Sequence, residues 1–233
     1  MNNKIAFWEE DRFLSLTDIE NKINEIAEED LITPENNADK LKKFYEEVRP
    51  LTFLARYLNV ESIKFTNDIK NSQSYDAMFK FLSGEEKKVE VTCAIDEKQL
   101  PLKTKHLKDY GYVSANVDIK YDKVKNKKVI KQLHFFMTGS ADEKRKKILS
   151  LLKKAFEHKN KLNRETYKDS ILLIVVDTDG TNTIKLRTYV NEKIHDIFKT
   201  EGIFDKIFLL SRNPSKYSNF FIEFPLKTIS FNG

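Results

Sequence analysis

The sequence predicts an α/β fold, a three-layer αβα sandwich around a central mixed β-sheet, and three observations predict it. Apolar residues recur at helical spacing before and after a group of strand-like segments. The run from Tyr75 to Ala94 alternates like a β-hairpin, and Ile171 to Val176 is the unbroken apolar run expected where both faces of a sheet are covered.

The elements follow in order. Thr17-Asp18-Ile19-Glu20 has capping-box form, and Ile19, Ile23 and Ile26 continue it as an amphipathic helix over 17–30. Thr33-Pro34 breaks that helix. A second helical pattern begins near Ala38 with Leu41, Phe44, Val48, Leu51, Leu54 and Leu58, where Pro50 either kinks the helix or starts a new one. Ile63 to Thr66 is a short strand, and the hairpin follows. A second hairpin is expected with arms Val117–Tyr121 and Val129–Phe136 and a charged tip over 122–128. Ser140 and Asp142 are possible caps for a long helix over 142–162, apolar along Ile148, Leu151, Leu152, Ala155 and Phe156. After the buried strand, a helix over about 188–199 and a strand over 206–210 complete a βαβ unit. Residues 1–37 form an N-terminal strand and helix extension, and 38–233 form one α/β domain with a basic hairpin inserted at about 96–138.

Composition narrows the chemistry. At 233 residues, 40% hydrophobic and 33% charged, the chain can bury one substantial core. No apolar run is long enough to span a bilayer and no signal-peptide pattern opens the chain, so no membrane association and a cytoplasmic location are expected. Cys93 is the single cysteine, on the apolar side of its strand, and the four histidines are scattered without ligand spacing; zinc chemistry has no support. The net charge of +5 conceals an asymmetry: residues 98–168 hold 20 Lys or Arg against 7 Asp or Glu, whereas residues 1–62 hold 8 against 14. A concentrated basic region suggests a polyanionic partner such as nucleic acid, or else a solvated lysine-rich surface.

The hairpin Tyr75–Ala94 carries the candidate chemistry. Leu82-Ser83-Gly84 suits a three-residue loop with Gly84 at its left-handed position. Phe81 then faces Glu85, Phe79 faces Lys87, Ala77 faces Val89, and Asp76 falls opposite Glu90. Opposed Cβ atoms lie roughly 4.5–5.5 Å apart, close enough for two carboxylates to share a divalent cation. A two-residue loop at Gly84-Glu85 would instead turn Glu90 to the apolar side. The plainer alternative is a half-solvated hairpin with Lys80 opposite Glu86 as an ordinary ion pair. Like charges face to face nevertheless require a metal, a proton or a nearby lysine. Glu47, on the Phe44 and Leu51 side of its helix, either snorkels to solvent or points towards this pair.

With Asp76 on one strand, Glu90-Val91-Thr92 on the next and a helix acid at Glu47, residues 38–176 resemble the PD-(D/E)xK nuclease superfamily. The resemblance implies a restriction-endonuclease-like αβββαβ core, endonuclease-like phosphodiester hydrolysis with DNA as the substrate, and Mg²⁺ or Mn²⁺ held by Asp76 and Glu90. It also implies that a homodimer could cut both strands. Thr92 stands where the family has its motif lysine. Lys88, on the same face as Glu90, is the first substitute for that amine, and Lys98 the second. Lys125, Lys127 and Lys128 on the inserted hairpin and Lys144 and Lys147 on the long helix are the expected nucleic-acid contacts. If no amine serves the site, the alternative is an inactive nuclease-like module that binds nucleic acid or a protein partner. A separate match, Asp177-Thr178-Asp179-Gly180-Thr181 after an apolar strand, resembles the first motif of haloacid-dehalogenase phosphatases. It lacks the later acidic pair that family needs, and a turn after a buried strand, in which Asp and Gly serve the backbone, explains it better.

Overall fold

The computed structural model describes residues 4–26, 43–66, 75–96, 121–124, 127–130, 140–162, 164–178, 183–198, 203–211 and 221–225. Its strands are β1 Leu14–Ser15, β2 Val60–Phe65, β3 Ala77–Phe81, β4 Glu86–Ala94, β5 Tyr121–Val124, β6 Lys127–Ile130, β7 Ile171–Val176, β8 Lys206–Ser211 and β9 Phe221–Pro225. Its α-helices are α1 Leu16–Asn24, α2 Arg49–Tyr57, α3 Ala141–Lys159, α4 Arg164–Tyr167 and α5 Thr183–Ile197. A 3₁₀ turn spans Lys4–Glu9, and a π-helical turn, Phe44–Val48, runs directly into α2.

Seven strands make one mixed sheet in the order β1-β2-β3-β4-β7-β8-β9. The β2-β3 and β3-β4 pairs are antiparallel, whereas β4-β7 and β7-β8 are parallel. Period-2 alternation divides β7 between two cores. Ile171, Leu173 and Val175 join Trp8, Phe44, Leu51 and Leu54 on one face; Leu172, Ile174 and Val176 join Leu152, Phe156, Leu186 and Val190 on the other. Helices cover both faces, which is why β7 reads as an unbroken apolar run. The N-terminal residues enter the first core through Trp8, stacked on Phe44 at 5.9 Å, and β1 extends the sheet beside β2. Among the described residues no helix is long and apolar enough to cross a membrane.

The hairpin has the expected register, with Ala77 opposite Val89, Phe79 opposite Lys87 and Lys80 opposite Glu86. Phe81 N–H donates to Glu85 O at 2.9 Å, and Gly84, at φ +84°, closes the turn by donating to Phe81 O at 2.9 Å. A Cβ at residue 84 would meet open space, so an alanine there suffers only the left-handed backbone. Gly84→Ala is therefore expected to cost about 1–2 kcal/mol, seen as a lower urea midpoint at unchanged slope.

Helix α3 starts one residue before its expected position, on a capping box in which Ser140 Oγ accepts from Glu143 N–H and Glu143 returns a bond to Ser140 N–H. The inserted hairpin forms as expected, with strands that reach further towards its tip. Tyr121 pairs with Ile130 as the expected arms require, and the strands continue into the expected tip, pairing Asp122 with Val129, Lys123 with Lys128 and Val124 with Lys127. Val124, Val129 and Ile130 supply the β-propensity. The outer parts of the expected arms, 117–120 and 131–136, lie outside the described residues, as do Lys98 and Lys125. Helix α5 begins five residues earlier than expected, and β9, which the sequence pattern did not reveal, pairs antiparallel with β8.

Candidate functional site

Glu90 lies mid-strand between Val89 and Val91, and alternation turns it to the α3 side of the sheet, where it is only 5% exposed. Its Oε1 accepts a hydrogen bond from the Lys159 ammonium at the C-terminal end of α3. Its Oε2 is buried and finds no hydrogen-bond partner among the described residues. A buried carboxylate with one oxygen lacking a donor is costly unless a proton or cation meets it.

The Asp76 carboxylate lies close by. The β3-β4 ladder stops at Ala77 opposite Val89, one pair before Asp76. Asp76 N–H donates to Val89 O at 3.0 Å, and its side-chain Oδ2 accepts from Val91 N–H at 2.7 Å. The carboxylate thus takes a β4 amide that a ladder carbonyl would otherwise hold, a local substitution open to Asp. The expected face-to-face pair becomes an acid folded back along β4, still near Glu90.

Electrostatics reflect this proximity. Burial, then the Asp76 charge, pushes the Glu90 carboxyl up to about 7, against the opposing pull of Lys159; Glu47 adds a weaker upward push. Glu47, in the π-helical turn, is also 3.6 Å from Lys43.

The predicted amine is placed differently. Lys88 Nζ donates to Thr166 O at 3.2 Å and lies 5.6 Å from the Tyr75 ring centroid, so this ammonium is committed to α4 and to Tyr75. Lys159 is the amine bonded to Glu90, and sequence reasoning missed it. A signal existed: Lys159 continues the α3 apolar stripe of Leu152, Ala155 and Phe156, an uncommon place for a lysine, and it is only 19% exposed at its side chain. Thr92 follows Glu90 on the same face, half-buried and beside Ile174 in the ladder.

The described residues among the expected nucleic-acid contacts fall on α3 and β6. Lys144 and Lys147 lie in the first turns of α3, and Lys147 forms an ion pair with Asp96 at 3.1 Å. Lys127 and Lys128 lie on β6, whose hairpin is a separate two-stranded sheet. After β7, the Thr178 and Ser211 hydroxyls share a buried hydrogen bond of 2.7 Å that ties the ends of β7 and β8 together, while 179–182 fall outside the described residues. Cys93 is half-buried against the first core, as packing predicts.

No group of three or more His, Cys, Asp or Glu residues suited to a metal occurs among the described residues. Asp76 and Glu90 nonetheless fit a small hard cation that retains waters, because such ions are commonly held by one or two protein carboxylates, and Glu90 Oε2 is an oxygen without a donor. No protein-family model, curated protein sequence or solved structure matches the chain.

Proposed function

We propose that the chain is a metal-dependent phosphodiesterase of nucleic acid, endonuclease-like and acting on DNA, with Asp76 and Glu90 holding Mg²⁺ or Mn²⁺ and Lys159 supplying the amine. The observation that carries the reading is the buried Glu90, with Lys159 on one oxygen, no donor on the other, and Asp76 beside it. The element order supports it: a helix, three antiparallel strands, a long helix and a strand parallel to the third follow the restriction-endonuclease-like αβββαβ plan.

When bound, the divalent cation supplies Lewis-acid polarisation of the phosphoryl group and acidifies water. The protein groups do the rest. Val91 N–H holds one Asp76 oxygen and so fixes the direction of that carboxylate. Lys159, partly withdrawn from solvent, sets its amine beside Glu90, where it could orient a nucleophilic water or offset the negative charge growing on phosphoryl oxygens. Thr92 cannot donate an ammonium, and Lys159 fills that chemical role from the facing helix.

Cleavage assays on DNA and RNA with Mg²⁺ and with Mn²⁺, run beside Glu90→Ala, test the proposal. Metal-dependent cleavage that the variant loses is expected; equal activity in the two proteins would remove Glu90 from the chemistry. The Thr92 substitution favours one second reading, a nuclease-like module that binds without cutting, for which nucleic-acid binding with no cleavage in either metal is the expected result.

A further inference from the structure

We infer that Thr66 and Lys43 form a positioning clamp that holds the Asp76 carboxylate in place beside Glu90. Asp76 precedes the first ladder residue of β3, so regular sheet pairing alone does not fix it. Thr66 does. This threonine, 3% exposed just beyond the end of β2, donates its N–H to Asp76 O at 3.0 Å and its hydroxyl to Tyr75 O. Both peptide units that lead into the Asp76 side chain are therefore held by one residue.

Thr66 is itself held. Lys43 Nζ donates to Thr66 O at 3.0 Å and lies 3.6 Å from the Glu47 carboxylate. The chain of contacts runs from the π-helical turn through Lys43 and Thr66 to the backbone of Asp76, and ends at the bond from Val91 N–H to Asp76 Oδ2. π-Helical turns recur at functional sites because the widened turn re-aims side chains. Here the turn carries Glu47, whose charge reaches Glu90, and Lys43 directly precedes it. One short segment thus serves both acids: it adds charge near Glu90 and braces Asp76. The chemical consequence rests on the proposed function, whereas the clamp on Asp76 does not.

The two parts have separate tests. Thr66→Val keeps the branched shape and removes the hydroxyl, and Thr66→Ser restores it. Native-state amide exchange at Val91 reads the hold on Asp76 without any metal. In Thr66→Val and in Lys43→Met, Val91 exchange is expected to quicken by about tenfold relative to Phe208, a buried amide of β8 that corrects for global stability, with Thr66→Ser near wild type. Calorimetric titration with Mn²⁺ is expected to show affinity about tenfold weaker in Thr66→Val and recovered in Thr66→Ser, the usual scale for losing a group that orients a ligand. Val91 exchange unchanged in both Thr66→Val and Lys43→Met would overturn the clamp. Faster Val91 exchange in a protein that takes up no Mn²⁺ would uphold the clamp and overturn the metal reading.

Discussion

Glu90→Gln is expected to abolish metal-dependent cleavage and, in metal-free buffer, to flatten a fall in stability that the wild-type protein shows between pH 4 and pH 8. The carboxyl titrates near its ordinary 4.5 in the unfolded chain and at about 7 in the fold, chiefly because burial and then Asp76 disfavour its charged form. Below about pH 4.5 both states hold the proton. Between 4.5 and about 7 the folded protein keeps a proton that the unfolded chain has released, so stability falls as the pH rises through this window. The full span corresponds to about 3 kcal/mol. Glutamine cannot ionise, and the difference in unfolding free energy between variant and wild type should therefore shift in the variant's favour by that amount from pH 4 to pH 8. Urea unfolding at the two pH values measures it. A wild-type curve parallel to the variant's would mean that Glu90 is not held at a raised pKa.

Lys159→Met is expected to reduce cleavage on the order of 10²-fold, the scale seen when one preorganised donor to a developing oxyanion is removed. Lys88→Met should reduce it less than about threefold, because that ammonium serves the Thr166 carbonyl and the Tyr75 ring. Stability should separate the two lysines as well. Removing one partner of a buried pair can cost about 3–5 kcal/mol, but Glu90 can escape part of that cost by keeping its proton. The penalty of Lys159→Met should consequently be small at pH 5 and grow above pH 7. Single-turnover cleavage and urea unfolding of both variants check this; a larger loss of activity in Lys88→Met would return the amine's role to β4.

The acid pair was legible in the sequence because local rules fix it. Gly84 sets the turn, alternation sets the faces, and the register of the hairpin then follows without tertiary information. The last step was less legible: that Asp76 leaves the ladder and turns its carboxylate onto Val91 N–H depends on Thr66 and Lys43, which hold it from other segments. Lys159 was hidden for a related reason. It lies 69 residues from Glu90 in a helix rich in lysine, and only its place on the apolar stripe distinguishes it from its neighbours. The inserted hairpin was legible as a hairpin, but its pairing continues into the charged segment, where Lys123 stands opposite Lys128, and composition does not fix how far a ladder extends. β9 gave too short a pattern to separate from its surroundings, and its pairing with β8 is a tertiary choice.

The most direct test of the central claim, that Asp76 and Glu90 share a divalent cation, is calorimetric titration of the wild-type protein and of Asp76→Ala with Mn²⁺ at pH 6 and pH 8. Saturable binding by the wild type is expected, tighter at pH 8 because the cation need no longer displace the Glu90 proton, with its loss in Asp76→Ala. Absence of binding by the wild type at both pH values, or equal binding by the variant, would contradict it.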